Sequence, residues 1–275
     1  MINQANLKGR TAFITGASRG IGEAIAVRLG RAGANVVIAA KSDRRHPKLP
    51  GTIHTAAAAV EAAGGSALPL AVDVRDEEAV SAAMAQAAEH FGGIDILVNN
   101  ASAIYLAGTL DTPMKRFDLM FGVNVRATYL CSQKALPYLL QSDHAHILNL
   151  APPPNLQPHW FARHTAYTIA KYGMSLCVLG MAAEFKDRAV AVNALWPRTV
   201  IATAALKMID GVDPNRCRRP EIVADAAWHI LSADSAQRTG EFLIDETVLR
   251  EAGVTDFEPY AVQPGQPLLP DLFLD

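Results

Sequence analysis

Short apolar runs alternate along the chain with longer, alanine-rich stretches in which apolar residues recur at helical spacing. The apolar runs are continuous, as in strands that are buried on both faces of a parallel sheet. We predict strands at residues 10–15, 35–40, 67–72, 94–98, 146–150, 189–195 and 241–244. We predict helices at 20–32, 52–63, 76–91, about 113–140, 165–185 and 221–231. This alternation predicts a doubly wound α/β fold, with a parallel sheet of about seven strands and helices on both faces.

Three segments interrupt this rhythm. Residues 42–51 form an insertion rich in basic residues and proline, residues 151–164 hold four prolines and no helix signal, and residues 198–220 stand where a lid would lie. The tail from residue 246 is rich in proline, and we expect it to be semi-extended. We therefore predict one domain over residues 1–275, with a core at about 7–245 and a C-terminal extension, 246–275, that packs on it.

Composition narrows the function classes. The net charge of −2 offers no electrostatic attraction for nucleic acid. No apolar stretch reaches 18 residues, and residues 1–6 have neither a basic nor an apolar leader region, so we expect no membrane span, no secretion and a cytoplasmic location. Three widely spaced cysteines show no metal-ligand spacing, so we expect reduced thiols and no metal site.

A glycine-rich turn links the first strand to the first helix. Its sequence, Thr15-Gly16-Ala17-Ser18-Arg19-Gly20-Ile21-Gly22, permits a tight turn and a close backbone approach to a pyrophosphate, and the helix N-terminus supplies free N–H groups. The other interpretation is an ordinary glycine-rich turn. The strand before it and the helix after it favour a dinucleotide-binding Rossmann fold, for which we predict as cofactor-binding residues Gly16, Ser18, Arg19, Gly20, Ile21 and Gly22.

The end of the second strand bears on cofactor choice. An NAD site places an acid there for the ribose 2′-hydroxyl, but this strand ends in Ala40-Lys41-Ser42. Lys41 and Arg19 are suited to pair with a 2′-phosphate, so we expect NADP (NADPH) rather than NAD as the cofactor. Alternatively, both are solvated surface cations.

Polar residues follow the next two strands at the same edge of the sheet. Asp73-Val74 comes after the third strand, where adenine would lie, and Asn99-Asn100-Ala101-Ser102 comes after the fourth. Asparagine side chains can bond to backbone groups and hold a loop over a cofactor. Each of these residues is equally compatible with a plain turn.

Tyr167 and Lys171 stand four residues apart on a predicted helix, so their side chains share one face. An ammonium beside a phenol favours the phenolate, and such a phenol can exchange a proton with an alcohol oxygen. On spacing alone, an amphipathic helix with a chance Tyr and Lys is the better explanation of the pair.

Taken together, these motifs resemble the short-chain dehydrogenase/reductase family over about residues 7–245. The resemblance rests on the glycine turn, Asn99-Asn100-Ala101, Asn124, Tyr167-x-x-x-Lys171 and Asn193-x-x-x-Pro197, in that order. Residues 38–41, 46–53, 99–104, 166–174 and 193–197, with Tyr260-Ala261 and 264–268 in the tail, are similar to a hydroxysteroid dehydrogenase-like subgroup.

The resemblance implies roles for these residues. Tyr167 would be the acid/base, Lys171 would lower its pKa and bind the nicotinamide ribose, and Asn124 would hold a water in a proton path. Asp73 and Asn99 would contact the adenine side of the cofactor, with Val74 and Ala101 beside them. The loop after Pro197 would hold the carboxamide, with Thr203 as a partner.

The sequence departs from the family pattern at two places. The family has Pro-Gly where this chain has Pro197-Arg198. It also has a serine after the fifth strand, where this chain reads Ala151-Pro152-Pro153-Pro154 without a hydroxyl group. Ser102 or a water would have to orient the substrate oxygen instead.

Two hypotheses follow from this balance. The leading one is an NADP(H)-dependent oxidoreductase that interconverts a hydroxyl and a carbonyl on a small molecule. The alternative is an NADP(H)-binding protein with little or no turnover, favoured by the hydroxyl-free 151–154 segment. A lipid-like substrate would suit an apolar pocket, although residues such as Trp and Met are more often ordinary core. The candidate lining residues are Trp160, Phe161, Trp196, Met208 and Ile209.

The helices at 113–140 and 165–185 bear on assembly, because both are apolar on several faces. Family members pair through these two helices, so the resemblance implies a homodimer or homotetramer.

Overall fold

A computed structural model of the protein describes residues 7–47, 49–209 and 211–274, without the side chains of residues 207 and 208. Within them, one parallel sheet of seven strands has the order β3-β2-β1-β4-β5-β6-β7, which confirms the predicted fold. The strands are β1 (Thr11–Thr15), β2 (Asn35–Ala40), β3 (Ser66–Ala71), β4 (Ile96–Asn99), β5 (His146–Asn149), β6 (Ala191–Trp196) and β7 (Phe242–Ile244).

Helices cover both faces of the sheet and bury two apolar cores against it. One core is shared by α1 (Gly20–Arg31), α2 (Ile53–Ala62), α8 (Glu221–Leu231) and α9 (Asp245–Glu251). The other is shared by α3 (Glu77–Phe91), α5 (Ala127–Leu139) and α7 (Thr165–Glu184). Among the described residues, no helix combines the length and apolar character that a membrane crossing needs.

Side chains at helix starts fix several of these boundaries. Asp76 accepts hydrogen bonds from the backbone N–H groups of Glu78 and Ala79, so α3 begins where the sequence predicts. Thr52 and Thr55 form a reciprocal capping box that starts α2 directly after the basic insertion.

The structure corrects three predictions of local structure. The predicted 113–140 helix is α4 (Met114–Met120), a π-helical turn at Phe121–Arg126, and α5. The 151–164 segment contains a short helix, α6 (His159–Ala162), after Pro158. The tail begins with a helix, α9, and not with extended chain, because Asp245 accepts from the N–H group of Glu246 and Glu246 pairs with Arg250 one turn later.

The order of the strands creates a cleft at one edge of the sheet. The chain moves outward from β1 to β3 in one direction and from β4 to β7 in the other, so the topology switches between β1 and β4. Ligands of open α/β sheets bind beyond the carboxyl ends of the strands at such a point. The glycine turn after β1 and the Asn99–Ser102 loop after β4 both lie there.

Candidate active site

The glycine turn is packed against the loop that follows β4. Gly16 has a φ of +67°, and a Cβ atom there would lie 2.8 Å from the Cα of Ala101. A Cβ atom on Gly22 would lie 2.4 Å from Nδ2 of Asn100. That amide donates hydrogen bonds to the carbonyl oxygens of Thr15 and Gly16. Asn100, part of the motif after the fourth strand, therefore holds the turn in shape.

Arg19 joins the glycine turn to the basic insertion. Its guanidinium donates to the carbonyl oxygen of Pro50 at 2.7 Å and to Oγ of Ser42 at 2.6 Å. Gly51, at φ +77°, lies so close that a Cβ atom there would meet the carbonyl oxygen of Ser18 at 2.3 Å. No side chain caps the start of α1 at Gly20, which leaves its N–H groups available to an anion. Ser42 is a further polar group here that sequence reasoning did not assign.

Lys41 and Asp73 meet at the ends of β2 and β3. Nζ of Lys41 lies 3.5 Å from Oδ2 of Asp73, and Arg75 binds the same carboxylate through two nitrogens, at 2.6 and 3.0 Å. The hydrogen bonds from Arg75 and the charge of Lys41 hold the pKa of Asp73 well below its usual range. Val74 beside it is buried. Lys41, Arg19 and Ser42 therefore form a polar, cation-bearing edge where a ribose 2′-phosphate would lie.

The side chain of Asn99 is held by neighbouring polar groups. Its amide is buried at the end of β4 and donates to Oδ1 of Asn149 at 2.9 Å and to Oγ of Ser132 at 3.1 Å. Oδ1 of Asn99 has no hydrogen-bond partner among the described residues. Ala101, by contrast, lies directly against Gly16, with its N–H group bonded to Oγ1 of Thr15. The predicted contact of Asn99 with the cofactor stays a prediction.

Tyr167 and Lys171 lie on one face of α7, and both are buried. Lys171 donates from Nζ to the carbonyl oxygen of Leu150 at 2.6 Å and lies 5.0 Å from the ring centre of Trp196. Burial lowers the pKa of Lys171 to about 7 and raises the pKa of Tyr167. Burial is the largest cause of the raised pKa of Tyr167, and the predicted lowering of that pKa by Lys171 stays a prediction.

Asn124 lies in the π-helical turn, buried beside α7. Its Oδ1 accepts from the N–H group of Ala103 at 2.8 Å, and its Nδ2 donates to the carbonyl oxygen of the same residue at 3.0 Å. The side chain therefore fixes the loop after β4. Its predicted contact with a water in a proton path remains a prediction.

The loop after β6 faces the glycine turn. The N–H group of Arg198, next to Pro197, donates to Oδ1 of buried Asp245 at 2.9 Å, and burial raises the pKa of that carboxyl to about 6. Thr203 lies over Gly20, where an added Cβ atom would be 3.4 Å from its methyl group. Thr203 is thus placed beside the start of α1, although its hydroxyl accepts from the N–H group of Ala205.

The segment that lacks the family serine is tightly held. Ala151 is buried at the end of β5. The carbonyl oxygen of Pro152 accepts from Oγ of Ser175, and the backbone of Asn155 is bonded in both directions to the hydroxyl of Tyr172. Ser102 is exposed. Residues 151–154 carry no hydroxyl group, and the predicted substitution of Ser102 for the family serine stays a prediction.

Residues 271–274 lie at Tyr167, a contact that sequence reasoning did not predict. Phe273 is buried, with its ring centre 6.2 Å from that of Tyr167 and 5.9 Å from that of Trp196. Burial also raises the pKa of Asp271 to about 7, with the charges of Asp245 and Lys171 nearby. The signal that could have indicated this contact is the apolar run Leu272-Phe273-Leu274 at the end of a proline-rich tail. Met208, another pocket candidate, has its side chain outside the described residues.

Comparison with known proteins agrees with this geometry. The short chain dehydrogenase family model matches residues 10–210, which is most of the chain. The chain belongs to the short-chain dehydrogenase family. A curated relative, the hydroxysteroid dehydrogenase-like protein 2 of Danio rerio, is 62% identical over 274 residues, or 99% of this chain and 66% of its own length. The subgroup resemblance is thereby confirmed, and this chain spans slightly less than two thirds of that relative.

Solved structures of other short-chain dehydrogenases agree in fold. A candidate dehydrogenase from Xanthomonas campestris is 63% identical, with a TM-score of 0.96 over 98% of this chain and 99% of its own. A metagenomic short-chain oxidoreductase in complex with NADP is 27% identical, with a TM-score of 0.72 over 87% of this chain and 97% of its own. A Mycobacterium paratuberculosis protein bound to NAD is 23% identical, with a TM-score of 0.75 over 87% and 97%, and shows the fold alone.

Proposed function

We propose that this short-chain dehydrogenase is an NADP(H)-dependent oxidoreductase that interconverts a hydroxyl and a carbonyl group, with Tyr167 as acid/base. The observation that carries the proposal is the position of Tyr167 and Lys171 on one face of α7, beside the ends of β5 and β6 and the cleft between β1 and β4. A hydroxyl at Tyr167 has the chemistry to give a proton to a carbonyl oxygen or to take one from an alcohol.

The residues present fit a dinucleotide. Gly16 and Gly22 leave no room for side chains, because Ala101 and Asn100 pack against them, and the uncapped start of α1 provides N–H groups for a pyrophosphate. When bound, NADPH supplies the hydride for carbonyl reduction. Lys171 would hold its nicotinamide ribose, and the Pro197 loop with Thr203 would lie at its carboxamide and phosphates.

The preference for NADP over NAD rests on charge at the end of β2. Arg19 and Lys41 place two cations beside Ser42. Among the described residues, the nearby carboxylates are paired, Asp73 with Arg75 and Asp43 with His54. A 2′-phosphate gains charge-assisted hydrogen bonds from such groups, while a 2′-hydroxyl lacks the acid that would accept from it.

One observation favours the second candidate, an NADP(H)-binding protein with little turnover. Ala151 and the three prolines after it offer no hydroxyl, and the Tyr172–Asn155 bonds hold that loop in place. A substrate oxygen would then be aligned by Tyr167 without help from the loop.

A two-part assay separates the two functions. NADPH and NADH affinities are measured by calorimetry, and NADPH oxidation is followed with a panel of ketones and aldehydes of increasing apolar size. The enzyme predicts NADPH oxidation well above the protein-free rate with at least one carbonyl. Tight NADPH binding with no oxidation across the panel would support the second function, and equal affinities for the two nucleotides would remove the argument for NADP.

A further inference from the structure

Residues 269–274, the C-terminal strap, cross the reaction centre along the loop that follows β6. The N–H group of Val200 donates to the carbonyl oxygen of Leu269 at 2.9 Å. The N–H group of Asp271 donates to the carbonyl oxygen of Arg198 at 3.1 Å. The indole N–H of Trp196 donates to the carbonyl oxygen of Leu272 at 2.9 Å. The strap is thus held to the element that we expect to face the nicotinamide end of the cofactor.

Phe273 is the strap residue that enters the core of the site. Its ring is nearly parallel to that of Tyr167, at 27°, and lies 5.2 Å from the ring centre of Tyr172. Trp160, His164 and Trp196 surround it at 5.8, 6.1 and 5.9 Å. Phe273 is 1% exposed and Tyr167 is 5% exposed, so the strap closes the acid/base off from solvent.

The backbone of Phe273 adopts a conformation that its residue type disfavours. Its φ is +73°, in the left-handed region that large side chains rarely occupy. Contacts of the ring with the aromatic cluster must offset this local strain. The closed position is therefore maintained by packing around the ring, and a ligand that replaces this packing also relieves the strain.

We infer that the strap is a displaceable wall of the substrate pocket, and that Phe273 occupies the place which an apolar part of the substrate takes beside Tyr167. The inference rests on the proposed function, because it takes Tyr167 as the group that meets the substrate oxygen. A carbonyl oxygen reaches the buried phenol only when the strap moves away.

The chemistry of the uncovered surface defines the substrate class. The cluster around Phe273 consists of aromatic and aliphatic side chains, with Met120, Leu106 and Ile104 at its margin. Removal of Phe273 exposes this surface to water, which is unfavourable in proportion to its apolar area. A ketone with a long alkyl chain covers that surface again, whereas a ketone of a few carbons does not. The substrate class is therefore a carbonyl or hydroxyl compound with a large apolar group.

The test measures binding of 2-decanone and 2-butanone to the NADP-saturated protein by calorimetry, in wild type and in Phe273→Ala. We expect Phe273→Ala to bind 2-decanone about tenfold more tightly than wild type, because the ligand no longer competes with the ring. Phe257→Ala is the matched control: Phe257 is also buried in the C-terminal extension but packs against Arg218, Arg250 and Tyr260, outside the cluster. We expect this variant to bind 2-decanone as wild type does.

A second measurement needs no variant. Displacement of the strap predicts that 2-decanone speeds amide hydrogen exchange at Val200 and Asp271 in the NADP-saturated wild type, whereas 2-butanone leaves it unchanged. Weaker binding of 2-decanone by Phe273→Ala together with slower exchange in its presence would mean that Phe273 is a fixed wall, and would overturn the inference. Absence of 2-decanone binding to both proteins would overturn it as well.

NADPH oxidation, measured in parallel, separates this inference from the proposed function. Tighter 2-decanone binding by Phe273→Ala without NADPH oxidation would support the strap as a displaceable wall and contradict the proposed enzymatic function. NADPH oxidation with short carbonyls, together with an unchanged 2-decanone affinity in Phe273→Ala, would contradict the inference about the strap and support the proposed enzymatic function.

Discussion

At the scale of single residues, Lys41 shows how one exposed cation is expected to select a cofactor. Its side chain is 61% exposed, and its ion pair with Asp73, at 3.5 Å, is long, so the residue contributes little to stability. Arg19, by contrast, also holds the backbone of the insertion at Pro50. Lys41 is therefore the cleaner position at which to test the 2′-phosphate hypothesis.

We predict that Lys41→Ala weakens NADPH binding about tenfold, equivalent to about 1.4 kcal/mol, and leaves NADH binding nearly unchanged. Lys134→Ala serves as the control, because Lys134 of α5 also forms a surface ion pair, with Glu77 of α3. Calorimetric titration of both nucleotides checks this. An equal loss for NADPH and NADH in Lys41→Ala would remove Lys41 from the 2′-phosphate site.

Ala151 tests whether the absent hydroxyl limits turnover. A serine there would supply a donor to the substrate oxygen at the end of β5, and we predict that Ala151→Ser raises kcat/KM about tenfold, or about 1.4 kcal/mol of transition-state stabilisation. Ala88→Ser, which adds the same hydroxyl at a partly buried position of α3 against the same core, should leave kcat/KM unchanged. Steady-state kinetics on one ketone decide the matter: an Ala151→Ser enzyme that is no faster would show that the pocket aligns its substrate by other means.

At the scale of elements, β5 carries a buried histidine that links stability to pH. His146 is 3% exposed, with Nε2 at 3.1 Å from the carbonyl oxygen of Ala233. Burial is the main cause that lowers its pKa from 6.5 to about 4. Between these two pH values the unfolded chain takes up a proton that the folded protein does not, so folding becomes less favourable as the pH falls from 6.5 to 4.

We therefore predict that the free energy of unfolding falls by up to about 3 kcal/mol more in wild type than in His146→Gln between pH 7 and pH 4. His90→Gln removes an exposed histidine of α3 and should keep the wild-type pH dependence. Urea unfolding at pH 4, 5, 6 and 7 measures the three curves. Parallel curves for wild type and His146→Gln would contradict the assigned burial effect.

The sequence predicts elements well where one signal controls them. Strands of a doubly covered sheet appear as continuous apolar runs, and Asp76 marks the start of α3 directly. The π-helical turn has no such signal, because its shape depends on tertiary packing: Val125 fits against Gly173 of α7, where a Cβ atom would lie 2.6 Å away. Helix α6 could not be predicted either, because the prolines around it are typical of loops.

At the scale of the whole molecule, the site could be predicted where its residues form motifs and could not where they meet through the fold. Tyr167 and Lys171 are recognisable from their spacing on one helix. The contact between Phe273 and Tyr167 joins residues more than a hundred positions apart, and nothing local to either residue records it. Ser42 was missed for the same reason, because its partner Arg19 lies on another loop. Arg75 was missed although its partner, Asp73, is only two residues away, because a charged pair of this kind is also typical of an ordinary surface turn.

Assembly is a second property of the whole molecule. Four large apolar side chains remain exposed on α5 and α7, namely Tyr129, Ile169, Leu176 and Leu179. Exposed apolar surface of this kind is typical of an interface. We predict that the protein is a dimer or tetramer at micromolar concentration, and that the double variant Leu176→Arg, Leu179→Arg has a smaller mass by light scattering.

Leu110→Arg is the control for this prediction, because Leu110 is fully exposed in the loop before α4, away from the two helices. It should keep the wild-type mass. A monomeric wild type would refute the predicted interface.

The most direct test of the central claim is the turnover of Tyr167→Phe, which removes only the phenol hydroxyl. NADPH oxidation is measured with the best carbonyl of the panel, and NADPH affinity is measured by calorimetry on the same samples, with Tyr138→Phe of α5 as the control. We predict that Tyr167→Phe loses about 10²–10⁴-fold in kcat while NADPH affinity stays within a few-fold of wild type. Turnover at the wild-type rate in Tyr167→Phe would contradict the assignment of Tyr167 as the acid/base.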